Sequence, residues 1–151
     1  MLQPGTVAPA FTAPSSTGAP VSLEQFAGKW VALCFYPRDF TPACTAQACS
    51  LRDNYAELAA LGITVLGISS DTPAEHKAFA EKYTLPYALI SDDGSIRKAY
   101  SVPRSFLGLM PGRVTYVVDP EGKIKGAFTS QLNIGGHIRA IRRLVTGDAA
   151  E

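Results

Sequence analysis

Two largely apolar runs, residues 30–36 (WVALCFY) and 63–69 (ITVLGIS), do not alternate between apolar and polar positions, the pattern of strands buried on both faces. Pro37 ends the first run. Between the runs, Cys44, Ala48, Leu51, Tyr55 and Leu58 recur at spacings of four and three, one apolar stripe of a helix predicted over 42–61. Thr41 stands at its N-cap and Pro42 at its first position, and Gly62 supplies the left-handed residue that closes it. Asp71-Thr72-Pro73 opens a second helix over 73–83, followed by a short strand at 86–90 and a helical turn or two at 95–100. Residues 114–118 and 123–128 are strands joined by Asp119-Pro120-Glu121-Gly122, a strong turn signal. A closing helix at 134–145 is apolar at Ile134, Ile138 and Ile141. Pro4, Pro9, Pro14 and Pro20 restrict the N-terminal arm to short extended pieces.

Strand–helix–strand–helix–strand, then a hairpin and a helix, predicts an α/β fold with a mixed central sheet flanked by helices, behind an N-terminal extension. Right-handed crossovers bring the end of the first strand and the start of the first long helix to one edge of the layer. Sheets of this kind usually place their chemistry there. Cys44 falls at that edge.

The chain of 151 residues and 16.0 kDa is expected to form one domain over 1–151, and 46% hydrophobic against 18% charged residues argues against disorder. Fourteen Lys and Arg against thirteen Asp and Glu leave a net charge of +1 with no basic stripe, which speaks against nucleic acid as a partner. Gly, Pro and Ser break the uncharged stretches well short of a membrane span. Residues 1–12 carry no Lys or Arg and no apolar run of the secretory type, so the expected location is cytoplasmic.

Three cysteines, Cys34, Cys44 and Cys49, lie within sixteen residues, an odd and clustered set unlike a secreted disulfide framework. In a reducing compartment such a cluster points to metal ligation or redox chemistry. Zinc is the weaker option, because Cys44 and Cys49 have no second ligand pair and His76 and His137 are far off in sequence. A cysteine in the first turn of a helix meets unpaired N–H groups and the positive end of the dipole, which favour a thiolate. Taken alone, Cys44 on the apolar stripe is as consistent with core packing.

Its company decides between these. Residues 37–49 read Pro-Arg-Asp-Phe-Thr-Pro-Ala-Cys-Thr-Ala-Gln-Ala-Cys, which contains Pro-x-x-x-Thr-x-x-Cys at Pro37, Thr41 and Cys44. With Cys49, the opening at residues 5–11 and the segment Arg113-Val-Thr-Tyr-Val-Val-Asp-Pro-Glu-Gly, the chain resembles the peroxiredoxin family over nearly its whole length, in its bacterioferritin-comigratory or Q-type branch. The resemblance implies a thioredoxin-like fold and reduction of hydroperoxides without metal or organic cofactor. It implies Cys44 as the peroxidatic thiolate and Cys49 as the resolving cysteine, forming an intramolecular disulfide recycled by thioredoxin or a similar dithiol reductant. Thr41 would set its hydroxyl beside the sulfur, Pro37 would close the pocket and Arg113 would hold the thiolate and a peroxide oxygen with its forked cation. The branch also implies a monomer. Gln47 stands where that branch most often has glutamate.

Other residues carry plainer readings. Cys34, inside the first strand, is expected to be inert packing; His76 and His137 give no catalytic signal; Arg38, Arg52 and Arg104 read as surface arginines. Apolar residues 106–111 are open to reading as an overhang of the site, a partner surface or core. Two other functions fit a reactive cysteine pair, a thioredoxin-type thiol-disulfide oxidoreductase and a non-enzymatic redox sensor; the first usually carries C-x-x-C, absent here. Residues five apart on a helix have Cα atoms ~8.6 Å apart, whereas a disulfide needs them within about 7 Å. Cys44 and Cys49 therefore require a backbone rearrangement to bond.

Overall fold

The computed structural model describes residues 1–105 and 110–147, with the backbone alone at 104–105 and 110–111. The two apolar runs become neighbouring strands at the centre of a five-stranded sheet. In chain order the elements are β1 (Thr12–Ala13), β2 (Val21–Ser22), β3 (Trp30–Phe35), α1 (Pro42–Asp53), α2 (Tyr55–Ala60), β4 (Ile63–Ser69), α3 (Pro73–Tyr83) and β5 (Ala88–Ser91). There follow α4 (Ser95–Ala99), β6 (Arg104–Ser105), β7 (Met110–Pro111), β8 (Val114–Val118), β9 (Ile124–Thr129) and α5 (Ile134–Thr146). The main sheet has the order β5-β4-β3-β8-β9. β3, β4 and β5 are parallel, and β8 runs antiparallel to β3 with Cys34 opposite Thr115 and Phe35 opposite Val114. The mixed sheet expected from the order of elements is present.

Strand parity sorts the core into two layers. Ala32, Cys34, Val65, Leu89 and Val117 face Ala48 and Leu51 of α1, Leu58 of α2, Phe79 of α3 and Ile138 and Ile141 of α5. Val31, Leu33, Phe35, Ile68 and Tyr116 face Ile96 and Tyr100 around α4 and residues of the N-terminal arm. That arm also covers both outer strands, with bridges from Val7 to Lys123 beside β9 and from Ser15 to Ile90 of β5. Unpaired strand edges invite association, and the arm covers that of β5 and the start of β9. No described helix is long and apolar enough to cross a membrane.

Several boundaries differ from the sequence reading. The helix expected over 42–61 is two helices, interrupted at Asn54 with φ −101° and ψ 3°. There the Asn54 side chain donates to the Ser50 carbonyl at 2.8 Å, the local competition with the helix ladder that asparagine favours. Arg142 of α5 holds the joint, donating to Asn54 Oδ1 and to Glu57 Oε2, both at 2.9 Å. The third strand starts two residues late, at Ala88, after Pro86, which has no N–H for the ladder. Gly62 does take the left-handed conformation, φ 78°.

Candidate active site

Beyond β3 the chain passes through residues 36–41 before entering α1, and this loop is heavily fixed. Tyr36, Pro37 and Asp39 are buried, while Arg38 is exposed. Phe40 has φ 66°, a left-handed conformation that costs such a residue of order 1–3 kcal/mol and persists only where the surroundings enforce it. Its ring lies edge-on to Phe79 of α3, with centroids 4.9 Å apart. Thr41 is extended, and its carbonyl accepts the first helical bond from Thr45 N–H at 2.8 Å. Its hydroxyl donates to the Arg38 carbonyl at 2.9 Å and makes no cap bond to α1. Thr41 thus occupies the N-cap position expected of it, but its side chain braces the loop, and the first-turn N–H groups receive no cap from it.

Cys44, in that first turn, is 2% exposed. Because β8 is antiparallel to β3, the residue before β8 lies near the end where β3 gives way to the loop. Parity points Arg113 to the same face as Thr115 and Val117, toward α1. Its guanidinium donates from Nη2 to Cys44 Sγ at 3.2 Å and from Nη1 to Gln47 Oε1 at 2.6 Å. A forked cation therefore holds the sulfur and its helical neighbour together. Arg113 and Gln47 are each 3% exposed, and Arg113 Nε and Gln47 Nε2 have no hydrogen-bond partner among the described residues. Unpaired buried donors are rare enough to need a reason, and donors beside a nucleophile are suited to an incoming oxygen. A cavity of about 10 Å³ against Cys44, Gln47, Cys34 and Tyr36 has room for about one water.

The backbone around Arg113 is equally constrained. Gly112 donates to the Pro103 carbonyl at 2.8 Å, and a Cβ at Gly112 would lie 2.2 Å from that oxygen, so only glycine fits. The Arg113 carbonyl accepts from the Thr129 hydroxyl at 3.1 Å. Cys49 is partly exposed on the same helix as Cys44, and all three cysteines are free thiols. Tyr87 pins the middle of α1, donating to the Ala48 carbonyl at 3.0 Å.

Cys34 lies in the same layer but in a different setting. Burial pushes its thiol up to about 12, with the Thr115 hydroxyl acting weakly in the other direction. The Thr115 hydroxyl and His137 Nδ1 are 2.8 Å apart, and His137 Nε2 lies 2.9 Å from the Ser130 carbonyl. That carbonyl can only accept, so Nε2 donates and Nδ1 accepts from Thr115. Burial chiefly lowers the His137 pKa, the Arg113 charge adds to this, and the Ser130 carbonyl opposes it. Arg52 is turned to Asp53 and the Tyr83 carbonyl, away from the sulfur. The Arg104 side chain and residues 106–109 lie outside the described residues.

Sequence reasoning missed a buried polar cluster behind the loop. Asp39 accepts from Tyr36 OH at 2.5 Å, and its Oδ2 lies 2.6 Å from His76 Nδ1. The Asp39 N–H donates to Asp71 Oδ2 at 2.8 Å, and Ser69 donates to the same oxygen at 2.6 Å. Burial and, secondarily, the Asp39 carboxylate raise the Tyr36 pKa well above the usual phenol range, which keeps the hydroxyl a donor. Asp39, Asp71 and His76 form a group that could hold a metal ion, but Asp39 Oδ2 is already engaged by His76 Nδ1 and Asp71 Oδ2 by the Asp39 N–H and the Ser69 hydroxyl. The available signal was His76 on the apolar stripe of α3, three residues before Phe79 and seven before Tyr83.

Residues 4–127 match the AhpC/TSA family. The chain is 47% identical over 135 residues to a chloroplastic peroxiredoxin Q of Gentiana triflora, covering 89% of this chain and 62% of that protein. It is 44% identical over 142 residues to a chloroplastic peroxiredoxin Q of Sedum lineare, covering 93% and 76%. It thus spans between three fifths and about three quarters of the length of these two relatives. The structure is similar to that of the peroxidoxin BcpB from Mycobacterium tuberculosis, with a TM-score of 0.88, 29% identity and coverage of 99% of this chain and 100% of that one.

Proposed function

The chain belongs to the AhpC/TSA family and, with a thioredoxin-like fold, to its Q-type peroxiredoxins, and from that premise we propose that it is a thiol-dependent peroxidase of hydrogen peroxide and organic hydroperoxides. The observation that carries this reading is the Arg113 guanidinium 3.2 Å from the Cys44 sulfur at the start of a helix. The Cys44 thiolate attacks one peroxide oxygen, the O–O bond breaks, and the other oxygen leaves with a proton as water or alcohol. Cys44 becomes a sulfenic acid. Arg113 balances the negative charge of the thiolate and then that developing on the departing oxygen. Pro37 closes the pocket side of the loop, and the Thr41 hydroxyl, which keeps acceptor capacity after donating to Arg38, is within the same segment for the incoming hydroperoxide proton.

Cys49 is the resolving thiol: its sulfur displaces water from the sulfenic acid to give the Cys44–Cys49 disulfide. Helix geometry separates their Cα atoms by ~8.6 Å, so α1 unwinds at its first turns for this step. Thioredoxin or a similar dithiol then supplies two electrons and restores both thiols. A monomer in the cytoplasm is part of this reading; the odd, clustered set of three cysteines is unlike a secreted disulfide framework.

The test is peroxide consumption with thioredoxin and its reductase, using hydrogen peroxide and an alkyl hydroperoxide. Wild type should turn over with both, Cys44→Ser with neither, and Cys49→Ser should reduce one equivalent and stop. Dithiol exchange without peroxide-dependent turnover would overturn the proposal in favour of a thioredoxin-type oxidoreductase.

A further inference from the structure

The peroxidatic loop is held from behind by a buried hydrogen-bonded pair that no step of the chemistry uses. We infer that the buried Asp39–His76 pair is a positioning device that keeps residues 37–44 in the peroxide-reactive arrangement and so sets the balance between the wound and unwound forms of α1. The inference rests on the proposed peroxidase reading.

Its grounds are geometric. Asp39 lies between Pro37 and Thr41, five residues before Cys44, yet it is 4% exposed, and its partner His76 on α3 is 0% exposed. His76 Nδ1 faces Asp39 Oδ2 at 2.6 Å and Nε2 faces the Ile90 carbonyl at 3.1 Å. Both are acceptors, so whichever ring nitrogen carries a proton donates it into this buried cluster, to Asp39 or to the Ile90 carbonyl. The ring thereby ties the loop to β5, the outer strand of the sheet's parallel half, which the N-terminal arm covers at Ile90. The Asp39 N–H and carboxylate are both engaged, by Asp71 and by Tyr36 and His76, which leaves the backbone at this residue little freedom. The next residue is Phe40, held at φ 66°. An unfavourable conformation relaxes once its surroundings stop enforcing it. The anchor and the strained residue are thus adjacent, immediately upstream of the helix that must open.

A pair removed in one half leaves the other buried without its partner, so the loop would leave its pocket to solvate the orphan. Three consequences separate positioning from general support. Peroxide attack needs Cys44 seated beside Arg113 and should slow. Disulfide formation needs α1 open and should not slow. Amide protection should fall over residues 37–53 and hold in β3, β4 and β8.

The experiment compares wild type, His76→Leu, His76→Asn and Asp39→Asn, each folded as judged by circular dichroism. Rapid-quench mass spectrometry follows sulfenic acid formation and disulfide formation as separate steps after one equivalent of hydrogen peroxide. His76→Leu should slow the first step by roughly tenfold to a hundredfold, the weight of one charge-assisted hydrogen bond. His76→Asn puts an N–H near the Nδ1 position and should recover much of that loss. If His76→Leu does not fold, Asp39→Asn, which keeps a hydrogen bond but removes the charge, carries the same comparison. The inference is overturned if folded variants form sulfenic acid at the wild-type rate, or if both steps slow together with protection lost throughout the sheet. A wild-type protein that forms no sulfenic acid at all would instead refute the peroxidase reading.

Discussion

Replacing Arg113 by lysine keeps the positive charge and removes the fork. In the structure one nitrogen reaches Cys44 Sγ at 3.2 Å while another reaches Gln47 Oε1 at 2.6 Å. A single ammonium on a shorter head cannot hold both positions. The Gln47 contact is the shorter, so the lysine is expected to settle there and leave the sulfur. A hydrogen bond to a charged group is worth about 1.5–3 kcal/mol, and each 1.36 kcal/mol is tenfold in rate. Arg113→Lys should therefore slow sulfenic acid formation by roughly ten- to a hundredfold. Arg113→Met loses both contacts and orphans the buried Gln47 Oε1, with a further stability cost of about 1–3 kcal/mol. The measurement is single-turnover oxidation in a Cys49→Ser background, trapped with a sulfenic-acid reagent and read by mass spectrometry, alongside urea unfolding. Steady-state turnover would not serve, because reduction of the disulfide can hide a slower first step. A folded lysine variant within about twofold of wild type would refute the claim that the fork, rather than the charge alone, activates the sulfur.

Four further outcomes are expected. At pH 8, with its thiol pushed up to about 12, Cys34 should be thiolate in about one molecule in ten thousand; peptide mapping after iodoacetamide should find it unmodified while Cys49 reacts, and Cys34→Ser should keep turnover. Gly112→Ala drives a Cβ to 2.2 Å from the Pro103 oxygen, so thermal unfolding should register a loss of about 1–3 kcal/mol and quenched-flow oxidation a slower Cys44. His137 has its pKa lowered in the folded protein, so below about pH 6.5 the unfolded chain takes up a proton that the native state refuses. Stability should fall as pH drops through that value and level off below the folded pKa; the stabilisation of wild type relative to His137→Asn should shrink over the same window in denaturant titrations. Finally, amide exchange over 42–53 should be slow in the reduced protein and fast in the disulfide form, and equal protection in both would exclude unwinding of α1.

Elements governed by local rules were the readable ones. β4 and β8 begin and end where their apolar runs do, and α3 begins at a Thr72–Glu75 capping box whose two bonds measure 3.2 and 2.8 Å. The break at Asn54 was not readable, because Tyr55 and Leu58 continue the apolar stripe and the joint is made by Arg142, 88 residues away. Cys44 was found through its helix position and its neighbours, and Arg113 only through resemblance, since pairing of β3 with β8 brings it from 69 residues away. Asp39 and His76 escaped notice for the same reason. Each alone reads as an ordinary polar residue, and only the packing of α3 against the loop turns them into a pair.

The divided helix has a bearing on how fast the protein can cycle. Leu58 of α2 is 0% exposed and Arg142 ties Asn54 and Glu57 to α5, so an opening that starts at Pro42 is halted at the joint. In the proposed cycle at most the twelve residues of α1 would let go. A segment of that size winds back within about a microsecond, whereas enzyme turnover commonly takes about a millisecond to a second. Restoring the reactive form is thus expected to be orders of magnitude quicker than a turnover, and rewinding should leave no trace in the steady-state rate.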